Sequence, residues 1–91
     1  MTIDSSRLRI KGPILVETAA GVVQSGSNAI ASGVYQIDLA EVTEVDSSGL
    51  AVVLHWMREA KQRDHNLVVL NLPPGMRSLA SVYGLAEILP Q

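Results

Sequence analysis

Short apolar runs alternate along this chain with segments of helical period, and that alternation predicts its elements. Arg7-Leu8-Arg9-Ile10-Lys11 alternates polar and apolar residues, as a half-buried strand does. Gly12-Pro13 interrupts the run and Ile14-Leu15-Val16 resumes it, so Leu8 to Val16 reads as a hairpin. From Thr18, a candidate cap, Ala19, Val22, Val23 and Ile30 recur at roughly helical spacing through Ala31. The stretch Gln24-Ser25-Gly26-Ser27-Asn28 forms helix poorly and predicts a broken or frayed middle. Ser32-Gly33 closes the segment. Val34 to Leu39 is the next strand, with Tyr35, Ile37 and Leu39 on one face and Val34, Gln36 and Asp38 on the other.

Ala40 to Asp46 reads as a loop carrying Glu41, Glu44 and Asp46. A helix begins at Ser47 or Ser48. Its stripe is Leu50, Val53, Leu54, Met57 and Lys61, flanked by Ala60, with the Lys61 stem buried and His55, Arg58, Glu59 and Gln62 opposite. Asp64-His65-Asn66 is a tight turn, and Leu67 to Leu70, continuously apolar, reads as a fully buried strand. Pro73-Pro74 opens a last helix with Leu79, Val82 and Tyr83 inside. Gly84 stops it, and Leu85 to Leu89 forms a short terminal segment. The order β-β-α-β-α-β-α predicts a single α/β domain over residues 1–91. It is a four-stranded mixed sheet with its helices mainly on one face, joined by right-handed crossovers.

Composition narrows the function. Apolar residues make up 47% of the 91, which argues against disorder, and with no Phe the core must be almost wholly aliphatic. A net charge of −2 offers no basic face for nucleic acid or an anionic membrane. The lack of cysteine excludes a disulfide framework and cysteine catalysis, and fits a reducing cytoplasm. Residues 1–10 have no apolar run of signal-peptide type, and the longest apolar run, Leu50 to Leu54, is far short of a membrane span.

The chemistry concentrates at Glu44-Val45-Asp46-Ser47-Ser48-Gly49-Leu50, where a strand gives way to a helix. A helix N-terminus leaves backbone donors unsatisfied and favours hydroxyl and carboxylate caps. Asp46 or Ser47 serves as the cap, which leaves at least one hydroxyl over. Gly49 in the first turn costs about 1 kcal/mol against Ala, which implies a close approach to the backbone there. A phosphate on either serine would sit at the positive helix end beside Glu41, Glu44 and Asp46, and would eject a partner docked at the turn.

Val45-Asp46-Ser47-Ser48-Gly49-Leu50, between a strand ending in Asp38-Leu39 and an aliphatic helix, resembles the STAS domain (sulphate transporter and anti-sigma factor antagonist). The resemblance covers nearly the whole chain and implies the STAS fold. One branch comprises anti-sigma factor antagonists, phosphorylated by a serine kinase on the second serine, here Ser48. Another is the small STAS subunit of the Mla (maintenance of lipid asymmetry) ABC transporter, where the functional hydroxyl falls at the first position, here Ser47. Gly49 to Trp56, Ala60-Lys61 and Ser81 to Leu85 look closer to that branch, whereas the Ser-Ser pair keeps the antagonist branch in play. The resemblance therefore implies a non-catalytic regulatory subunit of a phospholipid transporter. It would be cytoplasmic, peripheral to an inner-membrane complex and docked on the ATPase subunit. The alternative is a phosphorylatable partner switch acting with an anti-sigma factor kinase. The docking surface expected is Asp46, Ser47, Ser48 and Gly49, with Val52 and Trp56 extending it if Trp56 is an interface anchor and not a core residue. No cofactor is expected. His55 and His65 lack companions for a metal site, and no nucleophile elbow or phosphate-binding loop occurs, so an enzyme is not expected.

Overall fold

The computed structural model describes the backbone of residues 2–4 and 7–82 and the side chains of residues 7–78. The elements are β1 (Thr2–Asp4), β2 (Arg7–Ile14), α1 (Ala19–Ala31), β3 (Gln36–Val45), α2 (Ser47–Gln62), β4 (Val68–Leu70) and α3 (Pro74–Val82). Among the described residues one sheet forms in the order β1-β2-β3-β4. β1 is antiparallel to β2, and β2, β3 and β4 are mutually parallel. The crossovers through α1 and α2 step in the same direction across the sheet, so right-handed connections bring both helices to one face. There they cover Leu8, Ile10, Ile14, Ile37, Leu39 and Val69, all buried.

Four expectations about the strands and α1 are corrected. Leu8 to Val16 is not a hairpin. Gly12, at φ +90°, stays paired with Val42 and β2 runs on to Ile14; the register shifts at Arg9/Lys11 and Gly12/Ile14 each put the extra residue in β3. The acidic loop is largely strand, because β3 stays paired with β2 as far as Ile14↔Val45. α1 is unbroken through Gln24–Asn28. The Gln24 amide donates to Asn28 Oδ1 at 2.9 Å and the Ser25 hydroxyl to the Gly21 carbonyl at 3.1 Å, while Val22, Gly26, Ala29 and Ile30 are buried. Tertiary packing overrides propensity here. Finally, β4 is not fully buried: Val68, on its outer face, is 41% exposed.

α2 is rotated from the expected stripe. Gly49, Leu50, Val52, Val53, Trp56 and Ala60 are buried, Leu54 and Met57 only half-buried, and Lys61 exposed. Trp56 causes the rotation. It is fully buried, and its indole N–H donates to the Val23 carbonyl at 3.1 Å. Opposite it, a Cβ on Gly26 would lie 2.2 Å from the indole, so only glycine admits the ring between α1 and α2. Gly33 at φ +90° and Asp64 at φ 58° end the two helices, the latter in the expected turn. His65 beyond it stacks on Tyr35 with ring centroids 4.0 Å apart.

On the sheet's other face Asp38 is 7% exposed. Burial raises its pKa. The Asn71 amide, the Ala40 N–H and the charges of Arg7 and Arg9 outweigh that, holding the carboxyl below its ordinary value. The side chains of Leu79 and Val82, and everything expected of Tyr83, Gly84 and Leu85 to Leu89, lie outside the described residues.

Two helix glycines should respond oppositely to alanine. Gly26→Ala must displace the indole and should cost about 1–3 kcal/mol, whereas Gly21→Ala, with nothing near its Cβ position, should gain up to about 1 kcal/mol. Urea denaturation of both variants checks the pair.

Candidate functional site

The turn between β3 and α2 is built around one carboxylate. Asp46, extended at φ −119°, is the N-cap of α2. Its Oδ1 accepts the Ser48 N–H at 2.8 Å, and its Oδ2 accepts the N–H of Val16 at 3.1 Å, thirty residues earlier in the chain. The Asp46 N–H in turn donates to the Ile14 carbonyl at 3.2 Å. Of the two capping candidates the sequence left open, Asp46 therefore takes the role, and it also ties the exit of β2 to the start of α2. The Ser48 N–H is the main cause holding its carboxyl below the ordinary 3.8; desolvation opposes it, and the Ser48 hydroxyl and the Val16 N–H add to it. Thr18 holds the N-cap position of α1 but its side chain makes no cap hydrogen bond. Its hydroxyl accepts the Leu15 N–H and donates to the Pro13 carbonyl, each at 2.9 Å, stitching the approach to the helix.

With Asp46 as cap, Ser47 is exposed and Ser48 half-buried. Gly49 is buried, and a Cβ there would lie 3.0 Å from Met76 Cε and 3.5 Å from Val45 Cβ. The close approach inferred from this glycine is thus made by α3 of the same chain. Trp56 is corrected too: fully buried, it is a core residue and presents nothing to a partner. Val52 is 2% exposed and reaches the surface only as part of a groove floor.

That groove was not visible in the sequence. It has a volume of about 540 Å³ and lies between Ala19, Ala20 and Val23 of α1 and Ala51 and Val52 of α2, with Ser48 and His55 seven residues apart along its α2 wall. Beside the turn, Val16 is 69% exposed. A second unforeseen contact joins the helices: His55 Nε2 lies 2.8 Å from Glu59 Oε1, and the Ser27 hydroxyl donates to the same oxygen. The i, i+4 spacing of His55 and Glu59 was the only sequence signal for it.

This contact places a carboxylate between hydroxyl and imidazole. Activating a serine needs the imidazole on the hydroxyl, so the order is wrong for nucleophilic catalysis. Among the described residues no His, Cys, Asp and Glu side chains group to hold a metal, and no helix is long and apolar enough to cross a membrane. Both crossovers step the same way, so the parallel strands create no switch point of the kind at which doubly wound sheets bind nucleotides.

A family model described as "Mlab, STAS domain" matches residues 1–90. The intermembrane phospholipid transport system binding protein MlaB of Escherichia coli (strain K12) is 37% identical over 60 residues, 65% of this chain and 62% of that protein. The anti-sigma-B factor antagonist of Listeria monocytogenes serovar 1/2a is 36% identical over 56 residues, 62% of this chain and 49% of that protein. These matches span less than two thirds of the relatives' own lengths. Among solved structures, the anti-sigma factor antagonist SpoIIAA in its unphosphorylated form superposes with a TM-score of 0.68 at 26% identity, covering 89% of this chain and 73% of that one.

The Asp46 carboxylate contributes stability that is fully present above pH 3.8 and is lost as pH falls through its lower folded-state value. Asp46→Asn keeps one acceptor but not the tie to Val16, so it should lower Tm at neutral pH. The gap from the parent should close in acid, where the protonated carboxyl resembles the amide. Thermal unfolding across that range checks it, and a gap independent of pH would contradict the account.

Proposed function

The chain belongs to the STAS domain family, and on that premise we propose that it is a binding and regulatory subunit of a phospholipid-trafficking ABC transporter. In this reading it docks on the transporter's ATPase subunit through the turn Asp46-Ser47-Ser48-Gly49 and the adjoining groove. It is cytoplasmic and peripheral to an inner-membrane complex. The observation that carries the surface is the exposed Ser47 beside the doubly anchored capping residue Asp46, a polar point on a rigid turn next to an apolar groove. The likeness to MlaB supports the partner. The mechanism is a population shift. A subunit that binds one ATPase conformation more tightly than another favours it, and a coupling of about 1–3 kcal/mol changes affinity 5- to 150-fold.

A second reading is favoured by the likeness to anti-sigma factor antagonists. There the same turn is the substrate of a serine kinase. Phosphorylation of Ser47 or Ser48 adds up to about two negative charges beside Asp46 and expels the partner, while the helix N-terminus tolerates them. Ser47 meets a kinase with less rearrangement, because Ser48 is half-buried and its N–H is engaged.

Ser47→Glu and Ser48→Glu should each weaken co-purification with the ATPase subunit at least about tenfold while leaving Tm near that of the parent. Undiminished docking by both variants would remove this surface. Trp56→Ala does not probe it, since that change opens the core at a cost of about 3–5 kcal/mol. Stoichiometric phosphorylation of the intact chain by a serine kinase from the same cell, read by mass, would favour the second reading.

A further inference from the structure

Residues 12–57 contain no lysine or arginine, although the chain has seven; the same span holds Glu17, Asp38, Glu41, Glu44 and Asp46. This span supplies both walls of the α1–α2 groove. α1 carries no charged residue at all, and α2 has its cations, Arg58 and Lys61, only beyond the groove, with Arg63 at the C-cap. Two positions ahead of the first groove residue of each helix, Ala19 and Ser48, stand Glu17, exposed, and Asp46. Beside them Val16, its N–H held by Asp46, is the most exposed large apolar side chain among the described residues. The floor of Ala19, Ala20, Val23, Ala51 and Val52 is made of short side chains, which lets the backbone of an inserted element come close.

These features specify an occupant. An apolar channel between two helices fits the ridge of an amphipathic helix. A rim with acids and no lysine or arginine adds attraction and faster encounter for a cationic partner, and penalises an anionic one. We infer that the groove takes a cationic amphipathic helix of the partner protein, its apolar ridge on the alanine–valine floor and its Lys/Arg flank toward Glu17 and Asp46. A second copy of this chain would set two acidic ends against each other and does not fit. The inference rests on the proposed function for taking this face as the docking face. It adds the chemistry of the segment that docks.

Two synthetic peptides of about four helical turns, sharing a leucine face but flanked by lysine in one and glutamate in the other, are titrated into the isotope-labelled full chain. At low salt the lysine peptide should shift the amides of Ala20, Val23, Ala51 and Val52. It should bind at least about tenfold more tightly than the glutamate peptide, an advantage that salt removes. Ala51→Lys should weaken it and Ala51→Glu should not. Lys and Glu have similar helix propensities, and Ala51 is exposed, so both variants fold alike. Gln62→Lys, at the far end of α2, should have no effect. Equal binding of the two peptides, shifts outside the groove, no binding, or self-association of the chain through these residues would each overturn the inference. The ATPase subunit distinguishes the two proposals. If it binds and responds to Ser47→Glu but not to Ala51→Lys, only this inference fails. If the lysine peptide binds the groove and the ATPase subunit does not bind the chain, only the transporter reading fails.

Discussion

Trp56 seated in the gap left by Gly26 is the contact on which the helical layer depends. With the ring fully buried and its N–H spent on the Val23 carbonyl, α1 and α2 have one available rotation and one separation. That choice turns Val52 inward, leaves Leu54 and Met57 half-covered and opens the groove between the first halves of the two helices. A smaller side chain at 56 would leave a void in a core whose other large members are aliphatic, and a larger one at 26 would push the helices apart. The Ser27–Glu59–His55 contact then pins the same helix pair on the surface, His55 also lining the groove.

Asp46 performs the corresponding task at the carboxyl end of the central strands. By accepting from Ser48 and Val16 it fixes the angle at which α2 leaves β3 and holds the end of β2 beside it. A flexible loop would lose conformational entropy on binding; a turn held at both carboxylate oxygens has already lost it in folding. That rigidity suits both functions compatible with the family, since each requires one protein surface to be offered repeatedly in one geometry. What separates the two proposed readings is the partner, an ATPase subunit or a kinase; the likenesses to MlaB and to an anti-sigma-B factor antagonist are of similar identity, the former over more of its relative's length. Charge is divided along the helical layer. The end that carries the turn and the groove has no lysine or arginine, and the cations of α2 gather at the other end.

Much of this was legible in the chain. From α1 onward the order of elements, the cap at the start of α2, the turn at Asp64 and the glycine stop at Gly33 follow from local chemistry: hydrophobic period, side chains that can accept a backbone N–H, and residues that tolerate positive φ; β1 at Thr2–Asp4 was not foreseen. The errors share a cause. Gly12-Pro13 and the run Gln24–Asn28 carry local signals for a turn and a break, and in both places pairing or packing with a distant segment outweighed them. Gly49 was read rightly as a point of close approach, but the approaching group is Met76, twenty-seven positions along the chain, and no local pattern could have named it.

The sequence by itself determined that Asp46, Ser47 and Ser48 sit at a helix start, because spacing and capping chemistry act over a few residues. It also determined the charge partition, since a span without lysine or arginine has none wherever it folds. Only the tertiary structure decided which residues of α2 face inward, that Trp56 belongs to the core, that Val16 is tied to Asp46, and that the first halves of α1 and α2 enclose a groove. Those are contacts between segments about thirty positions apart, fixed by which shapes fill space together, and a one-dimensional pattern of apolar and polar residues carries no record of shape.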